Sequence, residues 1–164
     1  MKKIALCGFM GCGKSTISDA LTNNHNLSHI DTDKYIEEKY SLTISDIFEK
    51  YGEEYFRDIE HETIAFLSQK NDCVLSLGGG AVIFKRNVDI LKHNGYQIVF
   101  INTDFDVIKQ RLFSDTSRPL LKTNDIKTLF DKRLELYKQA CDIEIICKDE
   151  APEKVAEMII NAIK

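Results

Sequence analysis

The sequence predicts a three-layer α/β fold, a parallel sheet with helices packed over it, and three observations predict it. Short apolar runs rich in Ile, Val and Leu recur along the chain, at residues 4–7, 27–30, 73–77, 97–101 and 143–147. None alternates cleanly between polar and apolar, as expected of strands covered on both faces. Longer stretches of helical period separate them, and the first run leads straight into a glycine-rich loop. With 164 residues, no internal repeat and no linker, the chain reads as a single domain, 1–164.

Composition narrows the function classes. At 43% hydrophobic and 29% charged residues the chain can build a core and is not disordered. Its net charge of −4 excludes a generally basic surface, so nucleic acid is not an expected partner. No apolar run approaches the roughly 18 residues of a spanning helix, so no membrane is expected either. Met1-Lys2-Lys3 and the apolar stretch behind it resemble a secretory signal, but two glycines interrupt the stretch and Gly13-Lys14-Ser15-Thr16 follows. That segment is read as part of the folded domain. Five cysteines without a C-x-x-C pair indicate reduced thiols and a cytoplasmic setting. The four histidines show no metal-ligand spacing.

Taken in order, the first strand runs into Gly8-Phe-Met-Gly11-Cys12-Gly13-Lys14-Ser15, which matches G-x-x-x-x-G-K-[ST]. Glycines let successive N–H groups turn inward toward phosphate oxygens, and the helix opening near Lys14 adds its positive end. Lys14 supplies a charge for the β- and γ-phosphates, and Ser15 a hydroxyl for Mg²⁺. After the second strand comes Asp31-Thr32-Asp33, on the same sheet edge: one acid for a hydrated Mg²⁺, one to orient an acceptor hydroxyl, with a helix N-cap as the plainer role for Asp33. Arg57 follows Phe56, with Glu60 three residues on to hold its guanidinium. The third strand ends in Gly78-Gly79-Gly80, where a ligand can approach backbone.

The fourth strand is followed by Thr103-Asp-Phe-Asp106, a capping-box pattern with Asp in place of Glu. Residues 113–119 form a polar stretch that reads as a lid delivering Arg118. On the predicted helix 125–140 the apolar stripe Ile126, Leu129, Phe130, Tyr137 is broken by Arg133, an inward cation in need of an anionic partner. Arg57 and Arg133 together suggest a small anionic acceptor, because Arg meets carboxylate bidentately. Pro152 suits the first turn of a last helix, 153–163. The D-x-x-G and N-K-x-D strings of a GTPase are missing.

The P-loop, Asp31-Thr-Asp33, Phe56-Arg57 with Glu60, Gly78-Gly-Gly80, Arg118-Pro-Leu-Leu121 and Arg133 with Tyr137, in this order, resemble the shikimate kinase family. The resemblance implies a P-loop NTPase fold with a five-stranded parallel sheet, an acceptor-binding region at 33–61 and a lid at 112–123. It implies γ-phosphoryl transfer from ATP, with Mg²⁺, to the 3-hydroxyl of shikimate. By motif position, Arg57, Arg133 and the Gly79–Gly80 backbone would grip shikimate, with Phe48 and Phe56 walling the pocket. Asp33 would bind ring hydroxyls and is the candidate base. Asp31 and Ser15 would organise Mg²⁺, while Lys14 and Arg118 stabilise the transferred group. Gly11, Cys12, Gly13 and Thr16 would complete the phosphate loop, with Arg111 and Pro152 at adenine. Partners are thus ATP, ADP and shikimate, and the expected state is a monomer. Cys12 stands where the family carries a small residue such as Ala or Ser. Beside a helix N-terminus its thiol is expected to be reactive and shielded by ATP. The competing readings are a kinase for another hydroxylated acceptor such as gluconate, and a nucleotide-binding module without turnover.

Overall fold

In the computed structural model, which describes residues 1–114 and 123–164, all five predicted strands form: β1 (Lys3–Cys7), β2 (Ser28–Asp31), β3 (Cys73–Ser76), β4 (Gln97–Thr103) and β5 (Ile143–Cys147). They lie in one sheet in the order β2-β3-β1-β4-β5, every pairing parallel, with Ala5 opposite Leu75 on one side and Ile98 on the other. β1 and β3 are buried almost throughout, as continuous apolar runs require. β5 departs from the expectation of strands covered on both faces. It is an edge strand, and Glu144 and Ile146 face solvent while Ile145 and Cys147 face the core.

Between the strands come α1 (Lys14–His25), α2 (Thr32–Tyr40), α3 (Ile44–Tyr51), α4 (Glu53–Leu67), α5 (Lys85–His93), α6 (Phe105–Ser114), α7 (Thr123–Ala140) and α8 (Pro152–Ala162). The crossover through α1 from β1 to β2 runs toward one edge of the sheet; the one through α5 from β3 to β4 runs toward the other. Both being right-handed, they must lie on opposite faces. α8 packs on α1, and Pro152 opens it as its sequence position implies. α2, α3 and α4 carry a small core of their own, Ile36, Ile47, Phe56 and Ile59, beside the main one. The predicted acceptor region 33–61 falls on this helical group.

Two local expectations are corrected. Thr103 is still in β4 and its hydroxyl donates to the Cys12 carbonyl (3.0 Å), so it caps nothing; Asp104 accepts from the Asp106 amide instead. A capping box of the same T-x-x-D form closes at the start of α3, between Thr43 and Asp46. Asp31, not Asp33, is the N-cap of α2, its carboxylate accepting from the Lys34 amide at 3.0 Å. That frees Asp33, in the first helical turn, for another task.

Candidate active site

Because the strands are parallel, the segments leaving β1, β2 and β3 emerge on one rim of the sheet. The first is the glycine loop. Gly11 (φ 77°) and Gly13 (φ 99°) occupy the left-handed region that lets the backbone curl, and no side chain caps α1 behind them. The Lys14 ammonium lies inside the curl, donating to the Gly8 carbonyl at 2.8 Å, and Thr16 Oγ1 donates to the Gly13 carbonyl at 3.0 Å. Such a loop offers N–H groups, a helix N-terminus and a cation to phosphate oxygens. Cys12 contributes backbone to it. Its side chain is only 2% exposed, with Sγ where a Cβ on Gly8 would come within 2.7 Å. A thiol buried in the free protein has nothing for ATP to shield, so the expected nucleotide-dependent alkylation is withdrawn.

The second segment places Asp33 against the third. A Cβ on Gly78 would meet Asp33 Oδ1 at 2.6 Å, so only glycine admits the carboxylate there. Thr32, fully buried, ties the two segments together: its hydroxyl donates to the Ser76 carbonyl and accepts from the Gly78 amide, both at 3.3 Å. Burial, reinforced by the neighbouring Asp31 charge and opposed by Lys14, pushes the Asp33 carboxyl up to about 6. Its Oδ1 is buried without a hydrogen-bond partner.

Arg57, on α4, is held from several sides. Its guanidinium pairs with Glu60 at 2.9 Å and Glu53 at 3.5 Å, and lies 5.1 Å from the ring centres of Phe56 and Phe84 and 5.9 Å from that of Phe48. Glu60 has no exposed surface. Burial outweighs the pull of Arg57 and pushes its carboxyl up to about 7, while Oε2 lacks a partner. Arg133, on α7, comes to the same place, its Nη1 3.2 Å from where a Gly79 Cβ would stand. Among the described residues no carboxylate pairs with it. An inward arginine without an acid is a site for an external anion.

One cavity of about 880 Å³ joins these parts: Gly11, Gly13, Lys14, Ser15 and Thr16 line one end, and Asp33, Arg57, Gly79, Gly80 and Arg133 the other, with Phe48 and Phe56 in the wall. A second, of about 240 Å³, lies beside the loop between Thr16, Arg111 and Pro152. Arg111 borders both and donates to the Gly11 carbonyl while pairing with Asp149 at 3.2 Å. Ser15 and Asp31 line the large cavity as hard oxygen donors, and Asp31 has one carboxylate oxygen uncommitted to the helix cap. Among the described residues no three acids, cysteines or histidines form a closed metal cage. That donor set fits Mg²⁺, which keeps phosphate and water ligands and needs few from protein. Arg118 and most of the expected lid, 112–123, lie outside the described residues. The sequence reading did not find Thr32, Phe84 or the complete burial of Glu60. Phe84 sits at the end of a 3₁₀ turn, Ala81–Ile83, whose bend no spacing announces.

A triphosphate cradle facing a pocket with two arginines and a buried carboxylate defines a P-loop phosphotransferase acting on a small anionic acceptor. Comparison with known proteins narrows the class. A family model described as shikimate kinase matches residues 10–164. The chain is 39% identical over 166 residues to the shikimate kinase of Sulfurihydrogenibium sp., covering 100% of this chain and 99% of that protein. It is 41% identical to that of Caldicellulosiruptor saccharolyticus, with 98% and 95% covered. The solved shikimate kinase of Acinetobacter baumannii in complex with shikimate superposes with a TM-score of 0.88 at 32% identity, over 100% of this chain and 96% of that one. The chain belongs to the shikimate kinase family. A gluconokinase from Sinorhizobium meliloti, at 13% identity and a TM-score of 0.59, shares the fold alone.

Proposed function

We propose that the protein transfers the γ-phosphoryl group of ATP to the 3-hydroxyl of shikimate, giving shikimate 3-phosphate and ADP for aromatic amino-acid biosynthesis. The observation that carries the reading is the single cavity in which Lys14 and the glycine loop face Asp33, Arg57 and Arg133. Arg57 and Arg133 take the acceptor carboxylate from two separate helices, α4 and α7, and the Gly79–Gly80 backbone lines its ring. Asp33 accepts a hydrogen bond from the ring hydroxyls, and its raised affinity for protons suits it to receive the one the reacting hydroxyl gives up. Lys14 leaves its loop carbonyls for the β- and γ-phosphates. Arg118 joins it at the transferring group, by its place in the family motif. Mg²⁺ arriving with the nucleotide would be held by Ser15 and Asp31 and would neutralise charge on the β- and γ-phosphates. Arg111 and Pro152 flank the base in the smaller cavity. Transfer through a loose transition state asks the protein for alignment and charge, and the cavity supplies both. Five free thiols, four of them buried, fit work in the reducing cytoplasm, and a site built from one chain fits a monomer.

ADP release with ATP and Mg²⁺, measured with shikimate, with gluconate and with no acceptor, tests the reading. Shikimate should stimulate release at least a hundredfold over either control. Equal stimulation by gluconate would favour the broader kinase, and none by either acid a binding module.

A further inference from the structure

Tyr137 lies one turn beyond Arg133 on α7 and is 1% exposed. Its ring packs on Phe100 of β4, centres 5.1 Å apart, which anchors it to the sheet. Its hydroxyl donates to the Gly79 carbonyl at 2.6 Å, and the Arg133 guanidinium bears on the same phenol oxygen. Both groups converge on one point: a Cβ built on Gly79 would lie 3.2 Å from Arg133 Nη1 and 3.8 Å from Tyr137 Oη.

The peptide between Gly79 and Gly80 is trans, so the Gly79 carbonyl and the Gly80 N–H point opposite ways. With the carbonyl drawn back onto the phenol, the Gly80 N–H must face away from Tyr137. Among the described residues that N–H has no acceptor, although the neighbouring Ala81 and Ile83 amides are both taken up in the turn. A backbone donor left free in the wall of a polar cavity is a donor reserved for a ligand.

We propose that Tyr137 is a positioning residue for the acceptor. One phenol oxygen sets the plane of the Gly79–Gly80 peptide and the place of the Arg133 guanidinium together. The acceptor then meets a backbone N–H and an arginine already arranged, without the cost of ordering either on arrival. This rests on the reading of the cavity as the shikimate site. Burial drives the phenol's proton affinity well above that of a free tyrosine, so it remains a donor at every working pH.

Tyr137→Phe removes the oxygen and keeps the ring and its packing on Phe100. The KM for shikimate should rise about tenfold, while kcat stays within threefold, the KM for ATP within twofold, and the melting temperature close to that of the parent. A shikimate KM within twofold of the parent overturns the proposal, as do KM values for both substrates rising by one common factor. Amide exchange of the unmodified protein gives a second measurement that does not depend on how the variant folds. Shikimate should slow exchange at Gly80, and an unchanged rate overturns the proposal. A parent that turns over shikimate beside a variant of unaltered KM refutes the role of Tyr137 alone; a parent that ignores shikimate removes the reading beneath it as well.

Discussion

Replacing Gly80 by Ala isolates the acceptor grip from the rest of the machinery. The backbone at Gly80 (φ −101°) suits alanine, so the change introduces no backbone strain. The added methyl, however, would stand 2.5 Å from Arg57 Nη2 and 2.9 Å from Nη1. Normal contact requires the guanidinium to retreat by about 1 Å, a misplacement that can cost on the order of a hundredfold at a reacting site. An unpinned arginine would swing aside cheaply. This one is bounded by Phe48, Phe56 and Phe84 and tied to Glu60, so it moves only by loosening those contacts. Losing a charge-assisted hydrogen bond to a carboxylate costs about 1.5–3 kcal/mol, or roughly 10- to 100-fold in affinity. Steady-state ADP release, with shikimate varied at saturating ATP and then the reverse, should therefore show a shikimate KM raised by about 10- to 100-fold and an ATP KM unchanged. A shikimate KM within twofold of the parent would mean that Arg57 does not hold the acid.

Two further outcomes follow from the same cavity. Asp33→Asn should lower kcat by about 10²–10⁴-fold, the usual worth of a positioned base, with nucleotide affinity nearly intact by calorimetry; lost ATP binding would give Asp33 a structural role instead. Glu60, which faces Arg57, Asp33 and Arg86, is half protonated near pH 7. An acceptor carboxylate arriving at Arg57 adds negative charge beside it and raises its proton affinity further, so binding must take up protons and weaken as pH climbs from 6 to 8. Calorimetry at pH 7 in two buffers of different ionisation enthalpy should register that uptake and should lose most of it in Glu60→Gln; identical heats in both buffers would count against the assignment.

What the sequence discloses follows from how local each signal is. The glycine loop is contiguous and its spacing is dictated by phosphate geometry, so Gly11, Gly13, Lys14 and Ser15 are readable without a fold. β1, β3 and β4 stand out because a buried parallel strand must be an unbroken apolar run, whereas β2, with no fully buried residue, and β5, exposed on one face, carry that signal more weakly. Arg133 shows itself as a cation on an apolar stripe, a violation that only a ligand or an ion pair resolves. The short helices α2 and α3 are harder, being eight or nine residues long with a core of their own. Their caps, Asp31 and Thr43, use residue types equally at home in turns, which is how one T-x-x-D pattern is read at 103–106 and another passes unnoticed at 43–46. Thr32 and Phe84 act across long sequence separations, as does the phenol of Tyr137 where it meets the sheet edge: Thr32 reaches Ser76 and Gly78, and Tyr137 reaches Gly79. Nothing in the flanking residues of any of them announces the partner.

The central claim is that a triphosphate and a hydroxylated acid meet on one rim of the sheet. Titration of shikimate into protein saturated with Mg²⁺ and a non-hydrolysable ATP analogue tests it most directly. The account predicts one shikimate bound per chain, with binding abolished when Arg57 and Arg133 are both replaced by Ala. The absence of any heat of binding, or binding indifferent to both arginines, would contradict it.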